Sequence, residues 1–176
     1  MEALPFLFGR LVIILEKPVA GTSPAALMRF MSQAQRAAGL RGEVNVVVTS
    51  RQKIRKLNHR YRGKDSVTDV LSFPADGGAG KDFAGDIAIC AQEAAAGARR
   101  FGHTPSEELK ILLLHGILHL AGYDHERDNG RMARMERELR SKLGLPTALI
   151  ARNQDDDARP AQLRPGYVPR RKGRDR

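Results

Sequence analysis

The sequence predicts a single α/β domain of the α+β type, in which a small mixed four-stranded sheet packs against helices. Three observations lead to this fold class. Short strand-like runs alternate along the chain with amphipathic helical patterns. The length of 176 residues falls within the usual size of one domain. Hydrophobic residues make up 41% of the chain, so a buried core can form.

Four segments have the pattern of strands. Leu11 to Leu15 is an unbroken apolar run, as expected of a strand that is covered on both faces. The second segment places three valines at alternate positions, namely Val44, Val46 and Val48. The last two are Asp69 to Phe73 and Gly85 to Cys90, separated by a loop rich in glycine. These four segments predict the sheet.

Five helices are predicted around these strands, and capping residues mark three of their starts. The starts are Ser23-Pro24, Ser50 and Thr104-Pro105-Ser106-Glu107. The helix that Thr104 opens is apolar on nearly every side, so we expect it to be the central buried helix and to end at Gly122. The other two helices are predicted over about Ala91 to Arg100 and Asp128 to Leu143.

Composition changes near the C-terminus. Beyond Pro146 the chain has an Asp155 to Asp157 run, several prolines and an Arg/Lys-rich end, without apolar periodicity. We therefore expect one catalytic domain over residues 1–146 and a basic, disordered tail over residues 147–176.

Charge and cysteine content limit the classes of function. Thirty Lys+Arg against 20 Asp+Glu give a net charge of +10, which favours binding to polyanions such as RNA, although a basic surface can also serve solubility alone. Cys90 is the only cysteine, so an intrachain disulfide and a Cys-rich zinc site are excluded and a cytoplasmic protein is expected. The apolar run ending at Leu15 is too short for a signal peptide or a membrane span, so no membrane partner is expected.

Three of the five histidines, His115, His119 and His125, lie within eleven residues. His115 and His119 are four residues apart, so they project from one face of the predicted helix. Gly122 can turn the chain back so that His125 completes a triad. Three neutral imidazoles suit one Zn²⁺ ion and leave a fourth position open for water or substrate, as in catalytic zinc sites. Core histidines bonded to carbonyl groups are the alternative.

The offsets of these histidines and of Gly122 resemble those of the metzincin proteases, whose motif is H-E-x-x-H-x-x-G-x-x-H. Gly116 stands where those proteases carry the glutamate that acts as general base. Peptidase activity is therefore disfavoured.

Further motifs resemble a second family. They are the L-N-x-x-Y-R element from Leu57 to Arg62, the T-D-V-L-S-F element from Thr68 to Phe73, Gly85-Asp86-Ile87 and the histidine segment. Together, over roughly residues 44 to 143, they resemble the YbeY family of bacterial endoribonucleases of ribosomal RNA maturation. The chain departs from the family at Val67, where proline is common, and in its long tail.

This resemblance implies a mixed α/β fold, one zinc ion bound by His115, His119 and His125, and cleavage of single-stranded RNA with Arg62 as a functional residue. It also implies processing of ribosomal RNA, including 3′ end maturation of the small-subunit RNA and ribosome quality control, with ribosomes or small-subunit assembly intermediates as partners. A guanidinium at Arg62 suits phosphate oxygens. A non-catalytic RNA-binding assembly factor remains an alternative, and a zinc peptidase is a weaker one.

Other polar residues of these motifs keep two interpretations. Asp69, Asp86 and Asp124 are either turn and strand-start residues or participants in the chemistry. Lys64 and the Arg99-Arg100 pair are either phosphate contacts or solvated surface cations.

Overall fold

Strands and helices follow one another in the order that the sequence predicts. The computed structural model describes residues 12–75, 82–124 and 128–146. Within these ranges lie β1 (Ile13–Leu15), α1 (Pro24–Ala38), β2 (Glu43–Thr49), α2 (Arg51–Arg62), β3 (Val70–Pro74), β4 (Phe83–Cys90), α3 (Ala91–Phe101), α4 (Pro105–Leu120) and α5 (Arg131–Lys142). The predicted α/β fold with a four-stranded sheet and five helices is thereby confirmed. The tail predicted over residues 147–176 lies outside the described residues.

The four strands form one mixed sheet in the order β1-β2-β4-β3. Strands β1, β2 and β4 are parallel, and β3 runs antiparallel to β4. The expectation that the run ending at Leu15 is covered on both faces is wrong, because β1 is a three-residue edge strand in which Ile14 is 37% exposed. The two central strands, β2 and β4, are the ones whose residues are buried on both faces in the described part of the sheet. Apolar composition alone does not determine which strand acquires two neighbours.

The two faces of the sheet carry cores of different size. On one face, alternate residues of β2 and β4 pack with the helices α1, α3, α4 and α5 in the main core. On the other face, a smaller core joins Val47, Leu71 and Ala88 to Ile54 and Leu57 of α2. Helix α2 therefore lies on the opposite face of the sheet from α4.

Helix α4 is buried on all sides, as its apolar composition predicts. The capping box at its start is confirmed, since Thr104 accepts the N–H of Glu107 while the Glu107 carboxylate accepts the N–H of Thr104. Its 16 residues fill the centre of the main core. Within the described ranges, no helix combines the length and apolar composition that crossing a membrane would require.

The end of α4 turns back as the sequence predicts. Gly122 has a φ of 88°, and its N–H donates to the carbonyl of His119. The next N–H, of Tyr123, reaches back to the carbonyl of Leu118. These bonds satisfy carbonyls of the last turn and redirect the chain away from the helix axis.

Helix α5 begins three residues later than predicted, at Arg131 instead of Asp128. Asn129 and Gly130 both have positive φ values, which are incompatible with a right-handed helix. Asp128 still acts at the start of the helix, since its Oδ2 accepts the N–H of Met132 at 2.7 Å.

The second half of α4 approaches the sheet closely at Gly116. A Cβ atom at Gly116 would lie 3.0 Å from two side-chain atoms of Ile87 and 3.1 Å from the Oγ of Ser72. That Oγ also donates to the Gly116 carbonyl at 3.3 Å. Further along, the Leu120 side chain lies over Gly85 of β4. The C-terminal end of α4 thus lies at the end of the sheet marked by Gly85.

Candidate metal centre

Two of the three predicted metal ligands converge on one point. The Nε2 atoms of His115 and His119 are 3.1 Å apart, and the two rings lie at 78° to each other with centroids 4.7 Å apart. This follows from their position one helical turn apart on α4. Both nitrogens can therefore face the same ligand.

The separation of these nitrogens fits a metal ion. Two imidazoles bound to one tetrahedral zinc place their nitrogens roughly 3.3 Å apart, because each Zn–N bond is about 2.0–2.1 Å. His115 is 5% exposed and His119 is partly buried, so the pair opens to solvent only through His119. The donor set and its geometry suit zinc.

His125, the third predicted ligand, lies outside the described residues. Over the ranges that are described, no group of three or more His, Cys, Asp or Glu side chains surrounds a common metal position. The complete triad stays a prediction. The described part of the chain contributes the pair on α4 and the turn at Gly122 that precedes His125.

Glu136 on α5 is a site residue that the sequence reasoning missed. Its Oε2 lies 3.0 Å from the Nδ1 of His115, and its side chain is 0% exposed. Arg140, one turn further along α5, is 1% exposed and places its Nη1 3.5 Å from the Oε1 of Glu136. Glu136 falls within the apolar stripe of the helix, next to Met135 and one turn from Met132. A charged residue in an apolar stripe was the signal that could have revealed it.

Arg62 is the last residue of α2 and is exposed. The neighbouring ring of Tyr61 packs edge to face on Phe73, with centroids 5.1 Å apart. Phe73 lies on the edge strand β3, one residue before the position that pairs with Gly85. Since Leu120 covers Gly85, the C-terminal ends of α2 and α4 lie at the same end of the sheet. Arg62 and the histidines therefore share that end but belong to helices on opposite faces.

The structure describes contacts for each of the three aspartates whose role the sequence left open. The Oδ1 of Asp69 accepts the N–H of Val70 at 2.8 Å, which is the contact of a residue that starts a strand. Asp86 accepts the side-chain N–H of Asn45 at 3.1 Å on the α2 face of the sheet. Burial raises the pKa of Asp86, and the hydrogen bond from Asn45 partly opposes that rise. Asp124 lies just beyond the turn at the end of α4, and its backbone carbonyl accepts the N–H of Asp128.

The structure also shows the surroundings of the cysteine and of the surface cations. Cys90 is fully buried, and this burial raises the pKa of its thiol, which disfavours a role as nucleophile. Lys64 and Arg99 are exposed, which is compatible with either of the roles considered for them.

Comparison with known proteins assigns the chain to a family. The family described as Endoribonuclease YbeY matches residues 19–144. An endoribonuclease of this family from Koribacter versatilis is 54% identical over 143 residues, which cover 80% of this chain and 91% of that protein. A relative from Solibacter usitatus is 49% identical over 129 residues, covering 73% of this chain and 85% of that protein.

A solved structure has a similar fold. The solution structure of a Thermotoga maritima protein superposes with a TM-score of 0.51 at 28% identity, covering 89% of this chain and 99% of that one.

Proposed function

The chain belongs to the YbeY family of endoribonucleases, and we propose that it cleaves single-stranded RNA with one zinc ion bound by His115, His119 and His125. The observation that carries the metal part of this proposal is the 3.1 Å approach of the two Nε2 atoms on α4. Imidazole nitrogens at this separation can bind one shared ion, and without a metal the same distance suits a hydrogen bond between the two rings.

The zinc ion, when bound, would supply an electrophilic centre that activates water and stabilises negative charge on a phosphate group. The residues of the chain then have separate tasks. His115 and His119 hold the ion through Nε2, while Arg62 binds phosphate oxygens with the parallel donors of its guanidinium group. In this division of tasks no glutamate is needed at position 116.

The exposed end of α2 supports a single-stranded substrate. Arg60 and Arg62 flank Tyr61, whose ring is 43% exposed and has the Arg60 guanidinium 5.5 Å from its centroid. An aromatic ring between cations is the usual surface on which unpaired bases stack while phosphates are neutralised. We propose that the RNA strand crosses edge strand β3 between this surface and the histidine pair.

The biological substrate in this proposal is ribosomal RNA. The resemblance of the motifs to the family favours 3′ end maturation of small-subunit RNA and ribosome quality control, on ribosomes or assembly intermediates in the cytoplasm. The net charge of +10 and a single buried cysteine are compatible with this substrate and this compartment.

The surroundings of Gly116 argue against a zinc peptidase. That position faces Ile87 and Ser72 of the sheet at distances that leave no room even for a Cβ atom without displacement. A glutamate at this position would require Ile87 and Ser72 to shift, so the packing disfavours a general base there. Position 116 therefore serves the close packing of α4 on the sheet in this fold, whereas metzincins have their general base at the corresponding position.

The test compares the wild-type chain with His119→Ala on a single-stranded fragment from the 3′ end of small-subunit RNA, with zinc content measured on both proteins. We expect a zinc-bound wild type that cuts the fragment and a zinc-depleted variant whose cleavage falls by more than about 100-fold, above the range typical of residues that only support a ligand. His119→Ala is preferred to His115→Ala because it leaves the Glu136 contact intact.

Two results would overturn this proposal. Cleavage that persists undiminished in zinc-depleted protein would remove the metal from the mechanism. A zinc-bound wild type that binds the fragment with steep salt dependence but leaves it whole would favour a non-catalytic assembly factor.

A further inference from the structure

Two charged side chains, Glu136 and Arg140, lie in the core beside the histidine pair. Glu136 is 0% exposed and Arg140 is 1% exposed. Their helix α5 otherwise packs into the main core through Met132 and Leu139. Burying such a pair costs desolvation energy, and apolar residues of similar volume are often equally or more stabilising. A contribution to fold stability alone therefore does not explain why two charged residues occupy these buried positions.

The two oxygens of Glu136 have different partners. Oε1 faces the guanidinium of Arg140 at 3.5 Å, whereas Oε2 lies 3.0 Å from the Nδ1 of His115. An ionised carboxylate can only accept a hydrogen bond, so this contact favours the neutral tautomer of His115 in which Nδ1 carries the proton. The lone pair is then on Nε2, which is the atom that faces His119.

We propose that Glu136 is a positioning residue of the metal centre, which holds the His115 ring with Nε2 directed at the metal position. This inference rests on the zinc site of the proposed function and extends it to the second helix. Carboxylates that receive the free N–H of a metal-binding histidine fix the orientation of the ring and strengthen its binding to the metal.

Arg140 has a supporting part in this arrangement. Glu136 and Arg140 are four residues apart on α5, so their side chains share one face of the helix. The Arg140 guanidinium lies against the Oε1 atom of Glu136 while the Oε2 atom faces His115. Helix α5 thereby supplies the His115 ring with an acceptor that is held in place by a contact on its other oxygen.

The chain contains a matched control at the other end of α4. The Nδ1 of His103 lies 3.1 Å from the Oε2 of Glu108, and these side chains are 4% and 3% exposed. The two histidine–carboxylate pairs are alike in contact and burial, but Glu108 lies near the N-terminus of α4, away from His119. A general structural effect should appear in both pairs, whereas an effect on metal binding should appear only at Glu136.

The experiment compares three proteins, the full-length wild type, Glu136→Gln and Glu108→Gln. Zinc dissociation constants are measured by competition with a chelator, and thermal unfolding is followed without metal. We expect Glu136→Gln to weaken zinc binding by roughly 10- to 100-fold, the usual effect of losing such a partner. Glu108→Gln should leave the zinc dissociation constant within about twofold of the wild type, whatever its effect on unfolding.

Two further measurements test the positioning role of Glu136. Nitrogen-15 NMR of the metal-free wild type should show the His115 proton on Nδ1, and this signature should change in Glu136→Gln. The double variant Glu136→Leu/Arg140→Leu replaces the buried pair by apolar groups. It should stay folded yet bind zinc as weakly as Glu136→Gln.

Equal zinc affinity in Glu136→Gln and Glu108→Gln would overturn the positioning role, as would a His115 proton on Nε2 in the wild type. Failure of the underlying zinc site has a different signature, because then the wild type itself would bind no zinc. That result would overturn both proposals. If the wild type binds zinc and Glu136→Gln binds it with the same dissociation constant, only the positioning role of Glu136 is overturned.

Discussion

The two faces of the sheet differ in whether the polar side chains of the candidate site are buried or exposed. On the α4 face, His115, Glu136 and Arg140 are buried in the main core within hydrogen-bond or ion-pair distance of one another. On the α2 face, the smaller core ends near Phe73, and the last turn of α2 exposes Tyr61 and Arg62. The α4 face therefore holds the polar atoms around the histidine pair in place, whereas the end of α2 displays a basic aromatic surface.

This difference matches the demands of two parts of the proposed reaction. Metal ligands need fixed directions, and packing on all sides of α4 and α5 supplies that rigidity. A flexible RNA strand needs charge and stacking area, which exposed side chains provide at little cost in fold stability. The comparison predicts that substitutions on the α4 face change stability or metal binding, whereas those at the end of α2 change RNA binding alone.

Arg62→Ala should give the largest change confined to function. We expect cleavage of single-stranded RNA to fall by about 100-fold, the order of effect found when one donor to developing charge is removed. Zinc content and thermal stability should remain those of the wild type, because Arg62 is exposed. Arg29→Ala, which removes an equally exposed cation from α1, should leave cleavage unchanged. Loss of zinc from Arg62→Ala would show that Arg62 supports the structure of the metal site. The predicted functional difference between the two faces would then be wrong.

Gly116→Ala tests the close packing on the α4 face. The new methyl group would meet Ile87 and Ser72 at 3.0–3.1 Å, so we expect the free energy of unfolding to fall by about 1–3 kcal/mol in urea titrations. Ile87→Val removes one of the contacting atoms, so the double variant should be more stable than the sum of the two single effects implies. Strict additivity would show that the approach of α4 to the sheet is not tight.

Tyr61→Ala tests the surface at the end of α2. Loss of one stacking partner should weaken single-stranded RNA binding by about 1 kcal/mol, or roughly fivefold in Kd, measured by fluorescence anisotropy. Tyr61→Phe keeps the ring and should bind as the wild type does. If Tyr61→Phe were as weak as Tyr61→Ala, the hydroxyl group and not the ring face would contact RNA.

Asp86→Asn should have the smallest effect and a defined pH dependence. Burial raises the folded-state pKa of Asp86, so its charge costs stability at neutral pH. The variant, which can still accept the Asn45 hydrogen bond, should therefore be more stable there by about 0.5 kcal/mol. This advantage should shrink as pH falls through the folded-state pKa, where the wild-type carboxyl takes up its proton. A growing advantage at low pH would contradict the assignment.

The sequence predicted those features that nearby residues determine. The Thr104 capping box, the end of α4 at Gly122 and the all-round burial of α4 depend on residues within a few positions of each other. The same holds for His115 and His119, because their convergence requires only one helical turn. One error also has a local cause, since positive φ values at Asn129 and Gly130 delay the start of α5.

Sequence alone thus determined the helices, the histidine pair and, by its motifs, the family. Only the tertiary structure decided that β1 is an edge strand while β2 is a central one. It also decided that α2 and α4 lie on opposite faces of the sheet, and that Glu136 contacts a histidine 21 residues earlier. The physical reason is that strand order, helix placement and buried charge pairs depend on which distant segments pack together. A pattern within one segment can show that Glu136 interrupts an apolar stripe, but only the packed helices identify its partner.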